Sequence, residues 1–549
     1  MNFTLQWRTL FSATWIYSIF PLVSIAAMLP QNPLRQKTDP RPNIIFIMAD
    51  DIGIGDLSFY QKQFNKGKTY VETPTLDRLI ENGMRFERAH SSTALCSPTR
   101  YCVLSGNYSH RSYDEWGVWA SFNTSPFQNG NTVATALKES GYTTGFIGKW
   151  HLGGDFYQNN SHEIYTHNIY GTDGAFDARQ LAGGYPRALG FDYSLCLPAG
   201  IQNIPYAVYE NAQWLPLAND STLKPLKWSD MPAGAELGKK EGIGDSHWDA
   251  RQIGPLLAGK AKKFIEDHSS GAPYFLLYFT QAVHHPHNPP AKFMGTPVKG
   301  TTTNGKTPHL DMIYELDLQV RTILEAVEAS GEAKNTLIIF TSDNGGMLKQ
   351  VPSTEQSGHD PTMGLRGEKG DIWEGGHRVP FIAYWPGKIK PQSVATEPTL
   401  THDIVATASA LAGTSPAKDI GLDSHNLLPA LFGKEETTAR REYTITGQSN
   451  GKFHLAYYRG PWKLVLKARV ETGSGHYMSR SDWLKRAEAW RPKEFIPIAL
   501  FNLNENPLEN ENRNLLHDPN HKQTVATLKA AYIAHRSKPR TTLTTDKIK

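Results

Sequence analysis

The sequence predicts an α/β protein: a large, mostly parallel sheet sandwiched by helices, then a small C-terminal α+β subdomain of antiparallel sheet plus helix. Continuous apolar runs of strand length (Asn43–Met48, Thr143–Ile147, Tyr274–Thr280, Thr336–Thr341) alternate with amphipathic stretches. That is the pattern of strands buried on both faces and linked by crossover helices. After Gly433 the period shortens to alternating segments, the mark of strands with one wet face. A chain of 549 residues has room for both units.

Taken in order, the elements begin with Arg8 and an apolar stretch from Leu10 to Leu29 in which Ser24-Ile25-Ala26 resembles a small-x-small cleavage site. Residues 1–27 therefore read as a signal peptide of an exported, periplasmic or secreted protein, with no membrane contact after cleavage. A retained anchor is the other reading, since the stretch approaches the ~20 residues of a spanning helix; Pro21 and several hydroxyl residues favour cleavage. The large α/β domain is expected over 40–435. Strand Asn43–Met48 leads to a helix over Thr75–Asn82 with Leu76, Leu79 and Ile80 on one face and Gly83 after it. Cys96 stands near the start of a further helix, with Pro98 in its first turn and Gly106 as its stop. Asn131 is the expected cap of a helix holding Val133, Ala136 and Leu137, closed by Gly141. Between Gly153 and Asp249 the pattern dissolves into Asn, Gly, Pro and aromatics, which fits either walls of a substrate cleft or a solvated insertion. A helix over Met312–Ala329 carries Ile313, Leu316, Val320 and Leu324. In the subdomain (436–537), strands are expected at Tyr443–Ile445, Phe453–Tyr458, Trp462–Val465 and Leu500–Leu503. A helix follows at His521–Ser537 with Val525, Leu528 and Tyr532 on one side, then a polar tail, 538–549.

Composition narrows the function. A net charge of +4 with no lysine-rich aromatic stripe argues against a nucleic-acid partner. Three cysteines, Cys96, Cys102 and Cys196, are too few for a disulfide scaffold. Cys102 and Cys196 read either as one bridge or as two buried small hydrophobes.

The informative coincidence is where the polar residues fall. The four apolar runs lead into Asp50-Asp51, Lys149-Trp150-His151, His284-His285-Pro286-His287 and Asp343-Asn344. Each alone has a dull reading as a turn, a surface charge or a cap. Together they would meet at the carboxyl edge of a parallel sheet, where such folds bind ligands. Asp50, Asp51, Asp343 and Asn344 are hard oxygen donors suited to Ca²⁺ more than Mg²⁺. Arg100, Lys149 and Lys369 can stabilise a sulfuryl or phosphoryl group in transit, and His151 and His284 can move protons. Cys96 at a helix start lies where an oxyanion is welcome.

The segment Cys96-Ser97-Pro98-Thr99-Arg100 with Leu104-Ser105-Gly106 resembles the signature of the type I sulfatases. Gly148-Lys149-Trp150-His151, the H-x-P segment from His284, Ser342-Asp343-Asn344-Gly345, and Arg366-Gly367-Glu368-Lys369 through Pro380 resemble other motifs of that family, in order, from Asn43 to Leu515. Thr99 departs from the family's usual Ser or Ala. The resemblance implies an alkaline-phosphatase-like fold and sulfate-ester hydrolysis. It implies a Cys96 converted to formylglycine by a formylglycine-generating enzyme, and Ca²⁺ held by Asp50, Asp51, Asp343, Asn344 and the modified Cys96. It further implies catalytic roles for Cys96, Arg100, Lys149, His151, His284 and Lys369, with His285, His287 and His377 as candidate substrate contacts. The implied substrate is a sulfated carbohydrate or an aryl sulfate; Trp116, Trp119 and Trp214, in expected loops, favour the carbohydrate. A phosphodiesterase or phosphonate monoester hydrolase on the same scaffold, or a silent glycan-binding homologue, are the alternatives.

Overall fold

The computed structural model describes residues 39–537 except 128, 303–306, 435–440, 450 and 472–478, so the expected signal peptide and polar tail lie outside the described residues. The main sheet is built from β1 (Asn43–Ala49), β2 (Met84–Phe86), β3 (Thr143–Lys149), β4 (Tyr193–Ile201), β5 (Val208–Glu210), β6 (Gln213–Leu215), β7 (Tyr274–Phe279), β8 (Thr336–Ser342), β9 (Ile382–Tyr384) and β10 (Ser393–Ala395). Their spatial order is β10-β2-β9-β8-β1-β7-β3-β4-β5-β6. The central run β8-β1-β7-β3-β4 is parallel throughout. The flanks are largely antiparallel, so the sheet as a whole is mixed. The four apolar runs of the sequence are thus the contiguous strands β8, β1, β7 and β3, buried along nearly their whole length.

Helices flank this sheet in two groups. Helix α1 (Pro74–Glu81), α4 (Ile253–His268) and α5 (Pro308–Ala329) pack together, and α2 (Cys96–Ser105), α3 (Val133–Glu139) and α6 (Ile404–Ala412) form the second group. Helix α2 ends where Gly106 enters the left-handed region at φ 69°, its N–H donating to Cys102 O. The cap of α3 is Thr132 rather than Asn131: the Thr132 hydroxyl accepts from Ala134 N, one residue nearer the helix than expected. The stretch expected to be irregular contributes β4, β5 and β6 to the sheet. Pro198 and Gly200 inside β4 break its apolar run without breaking its pairing with β3.

The C-terminal sheet has the order β11 (Tyr443–Ser449), β12 (Lys452–Arg459), β13 (Trp462–Arg469) and β14 (Glu494–Asn502), all antiparallel. Helix α8 (Lys522–Arg536) covers one face, burying Leu528 and Tyr532 against Leu455, Leu464, Leu466 and Leu500, with Val525 at the margin. The other face packs Tyr443, Ile445, Ala456, Tyr458, Val465 and Phe501 onto Ile372. Helix α7 (Arg480–Ala489), unforeseen in the sequence, joins the core through Trp483 and Ala487. Cys102 and Cys196 are separate buried thiols rather than a bridge. Trp116 and Trp119 are core residues: Trp116 packs on Phe453, and Trp119 lies between Tyr101 and Tyr113. Trp214 is half-buried with its indole N–H donating to Asp245. The tryptophans therefore give no support to a sugar platform.

A polar network beneath β7 braces the loop that follows it. Tyr278 and Thr280 hydroxyls both donate to Gln319 Oε1 at 2.7 Å, and Gln319 Nε2 donates to Glu315 Oε1 at 3.0 Å. Burial without a cation pushes the Glu315 carboxyl up to about 8. The unfolded chain ionises near the ordinary 4.5 while the native chain keeps its proton, so native stability falls as pH rises from 4.5 to about 8. Glu315→Gln keeps the accepting oxygen and removes the titration. Its melting temperature is expected to exceed that of the parent at pH 8, with the gap closing toward pH 4.5; a pH-independent gap would contradict this assignment.

Candidate active site

Most side chains of the site follow the ends of strands or lie in the first turns of α2, and Lys369 comes from a loop. Register places Ala49 beside Ser342 and Met48 beside Phe279, so the residues after β1, β8 and β7 emerge together. Asp50 N donates to Ala282 O, Val283 N to Asp50 O, and Asp343 N to Ala49 O, at 2.9, 2.7 and 3.0 Å. Asp51 and His151, immediately beyond β1 and β3, hold left-handed φ values of 72° and 58°. Non-glycine residues pay for such geometry in strain, and it is typical of functional termini. Gly148, at φ 120°, abuts Phe279 O so closely that no side chain would fit.

The carboxylates and cations interlock. Lys149 Nζ donates to Asp50 Oδ2 at 2.6 Å and Lys369 Nζ to Asp51 Oδ2 at 2.7 Å. Arg100 donates through Nε and Nη2 to Asp343 Oδ2 at 3.2 and 2.7 Å, and through Nη1 to Lys149 O at 2.6 Å; its Nη2 also lies 3.3 Å from Asp50 Oδ2. Every guanidinium nitrogen is occupied and the side chain is 0 % exposed, so Arg100 holds the acidic groups in place. Asn344 Nδ2 donates to Asp51 Oδ1 at 2.8 Å.

Cys96, at the first turn of α2, places Sγ 3.4 Å from His151 Nδ1. Ser97 anchors that histidine segment by donating to His151 O at 2.6 Å. His284 Nδ1 is 2.8 Å from His285 O, which leaves Nε2 for other work. His285 lies over His284 with ring centroids 4.7 Å apart, and His287 lies against His309 at 5.0 Å. His377 is elsewhere: buried, its Nδ1 faces His90 Nδ1 at 3.0 Å and its Nε2 meets Ile372 O. His377, the expected substrate contact, is 0 % exposed and lies with His90 and Glu374 apart from the carboxylates above.

Electrostatics follow burial and neighbours. Burial raises the Cys96 thiol, against Lys149 and Lys369, so the unmodified cysteine is a poor source of thiolate. Burial and then Asp50 push Asp343 up to about 7, against Arg100. Burial works to raise Asp51, but Lys369 and Lys149 outweigh it and hold the carboxyl below its usual range. Burial, reinforced by Lys149, drives both His151 and His284 well below 6.5.

Two buried oxygens, Asp50 Oδ1 and Asn344 Oδ1, have no hydrogen-bond partner. Asp50, Cys96 and Asp343 offer ligand atoms within 4.8 Å of one another, as do Asp50, Asp51 and His284. Unpartnered hard oxygens at the centre of a carboxylate cluster fit a divalent cation such as Ca²⁺ or Mg²⁺.

Sequence reasoning missed two neighbours, Gln202 and Lys239. Gln202 follows β4 beside Lys149, and Lys239 comes from the loop between strands Leu223–Leu226 and Gly242–Asp245. No motif surrounds either one.

A family model for sulfatases matches residues 42–414. An N-acetylgalactosamine-6-O-sulfatase of Bacteroides thetaiotaomicron is 32% identical over 468 residues, 77% of this chain and 82% of its own length. The steryl-sulfatase of Rattus norvegicus is 30% identical over 72% of this chain and 71% of its own. A solved structure from Bacteroides thetaiotaomicron, described with the metabolism of multiple glycosaminoglycans, superposes with a TM-score of 0.70 at 27% identity, covering 91% of this chain and 100% of that one.

The Lys149–Asp50 pair has both side chains 0 % exposed. Lys149→Met leaves Asp50 with Arg100 alone, and urea unfolding in chelator is expected to show a loss of about 3 kcal/mol. A saturating divalent cation should recover part of it; equal losses with and without the cation would argue against a metal at these oxygens.

Proposed function

The chain belongs to the sulfatase family, a family of sulfuric ester hydrolases, and from that premise we propose that it is an exported enzyme removing 6-O-sulfate from an N-acetylgalactosamine-containing glycan, with formylglycine at position 96 and Ca²⁺ as its cofactors. The observation that carries this reading is the placement of Cys96 3.4 Å from His151, inside a buried ring of three carboxylates and three cations. The relative named for the 6-O-sulfate of N-acetylgalactosamine supports the sugar. The apolar N-terminal stretch supports export, and no helix among the described residues is long and apolar enough to cross a membrane.

Asp50, Asp51, Asp343 and Asn344 would hold the Ca²⁺, which supplies Lewis-acid polarisation and charge neutralisation. Formylglycine supplies, as its hydrate, a nucleophilic oxygen and a second hydroxyl through which the sulfate can be released. The chain's own residues do the rest. Lys149 and Lys369, fixed by Asp50 and Asp51, face the sulfuryl oxygens and meet the charge that grows on them. Arg100 keeps Asp343 and Asp50 aligned. His151, neutral at pH 7 because burial and Lys149 depress it, accepts a proton at Nδ1 beside position 96. His284 keeps Nδ1 on the His285 carbonyl and protonates the departing alcohol through Nε2. An imidazolium among lysines is a strong acid, so the anionic substrate itself must help to charge His284.

Peptide mass spectrometry of the exported protein should show position 96 as an aldehyde, with the thiol sulfur replaced by oxygen and two hydrogens lost. The same preparation should cleave an aryl sulfate faster than the matching aryl phosphate and lose activity in chelator. Cys96→Ala should be folded and inert, and sulfatase activity in that variant would refute the nucleophile. For His284→Ala the expected loss is about 10²–10⁴-fold on an alkyl sulfate and much less on a nitrophenyl sulfate, whose leaving group needs no proton. Equal losses on both would remove His284 from the acid role.

A further inference from the structure

Gln202 is 1% exposed, yet neither its Oε1 nor its Nε2 has a hydrogen-bond partner. A buried primary amide with both ends idle is a costly arrangement unless a ligand completes it. It stands against a lysine of the site: a Cβ added at Gly200 would lie 2.5 Å from Gln202 Oε1 and 2.8 Å from Lys149 Cδ. Lys239 is tied to the same spot, its N–H donating to Gln202 O at 2.8 Å while Gly238 packs on the Gln202 backbone. The paired strands Leu223–Leu226 and Gly242–Asp245 hold this arm in place.

Lys239 differs from the other cations of the site. Arg100, Lys149 and Lys369 are each matched by a carboxylate. Among the described residues no carboxylate is paired with Lys239, an exposed residue of this arm whose ammonium is partly desolvated. Its ammonium is within electrostatic reach of Cys96, Lys369, Lys149 and Asp51, and it is felt by His285. Partial desolvation, with repulsion from Lys369 and Lys149, holds it below the usual lysine range. A ligand that brought a further negative charge would relieve this, and a single sulfuryl group is already met by Lys149 and Lys369.

We propose that Gln202 and Lys239 form a recognition subsite for a polyanionic glycan: Gln202 takes a hydroxyl or acetamido group of the sulfated sugar, and Lys239 takes a second anion, a uronate carboxylate or a further sulfate. The proposal rests on the sulfatase reading of the same site.

The test compares the parent enzyme with Lys239→Met, Lys239→Arg and Gln202→Leu, each checked for a native melting transition. The substrates are 6-sulfated N-acetylgalactosamine, its 4,6-disulfate, the 6-sulfated sugar joined to a uronate, and an aryl sulfate. The parent should favour at least one dianionic substrate over the monosulfated sugar, and Lys239→Met should lower that ratio of kcat/KM at least about tenfold, mainly through KM. Lys239→Arg should recover most of it. The dianion whose advantage disappears identifies the anion bound. Gln202→Leu should lower the ratio of sugar sulfate to aryl sulfate by about tenfold. A ratio unaltered in Lys239→Met, or an equal loss on every substrate, overturns the subsite while leaving the sulfatase reading intact; the second result would assign Lys239 to the reacting sulfuryl group. Failure of the parent, with position 96 converted, to cleave any sulfate ester overturns both.

Discussion

The structure depends on desolvated charges that must neutralise one another. Asp50, Asp51 and Asp343 are fully buried, and Lys149, Lys369 and Arg100 offset their charge. Buried ion pairs seldom add stability over well-packed apolar residues, so this ring is a functional expense carried by the surrounding core. The core bears it through β8, β1, β7 and β3, whose apolar runs end in register at one edge. Arg100 is the keystone: it reaches two of the acids and the carbonyl of a lysine from a helix that also begins with Cys96.

The C-terminal sheet is less separate than its topology suggests. Lys463 on β13 donates to Ile372 O at 2.9 Å and to Glu374 at 3.0 Å, and it pairs with Glu509 at 2.7 Å. Tyr458 on β12 donates to Glu374 at 2.7 Å. These contacts clamp the loop that presents Lys369, whose own backbone N–H reaches Gly346 O. The lysine that holds Asp51 is therefore aimed by residues of the second sheet as well as the first.

Much of this was legible in the chain. Central parallel strands are buried on both faces, so β1, β3, β7 and β8 announce themselves as apolar runs, and the polar residues after them must share an edge. Other features carry no such signal. β4 is interrupted by Pro198 and Gly200, and β5, β6, β9 and β10 are three-residue strands defined only by their neighbours. Charge type did not reveal that Arg100 is enclosed, nor that His377 faces inward, because enclosure depends on what a loop packs against. Trp116 and Trp119 misled for the same reason: an aromatic in a loop is as readily a core residue as a platform. Lys239 and Gln202 are brought together by pairing across an arm of unremarkable composition.

The clamp from Lys463 and Glu509 has a consequence for biosynthesis. A ribosome that has released Lys369 has not yet made the strand that steadies it, and Glu509 comes later still. A nascent chain stalled before that point would hold every reactive group of the pocket in its primary structure without their final alignment. The bracing of the Lys369 loop is thus completed only when the last strand and the segment carrying Glu509 have emerged.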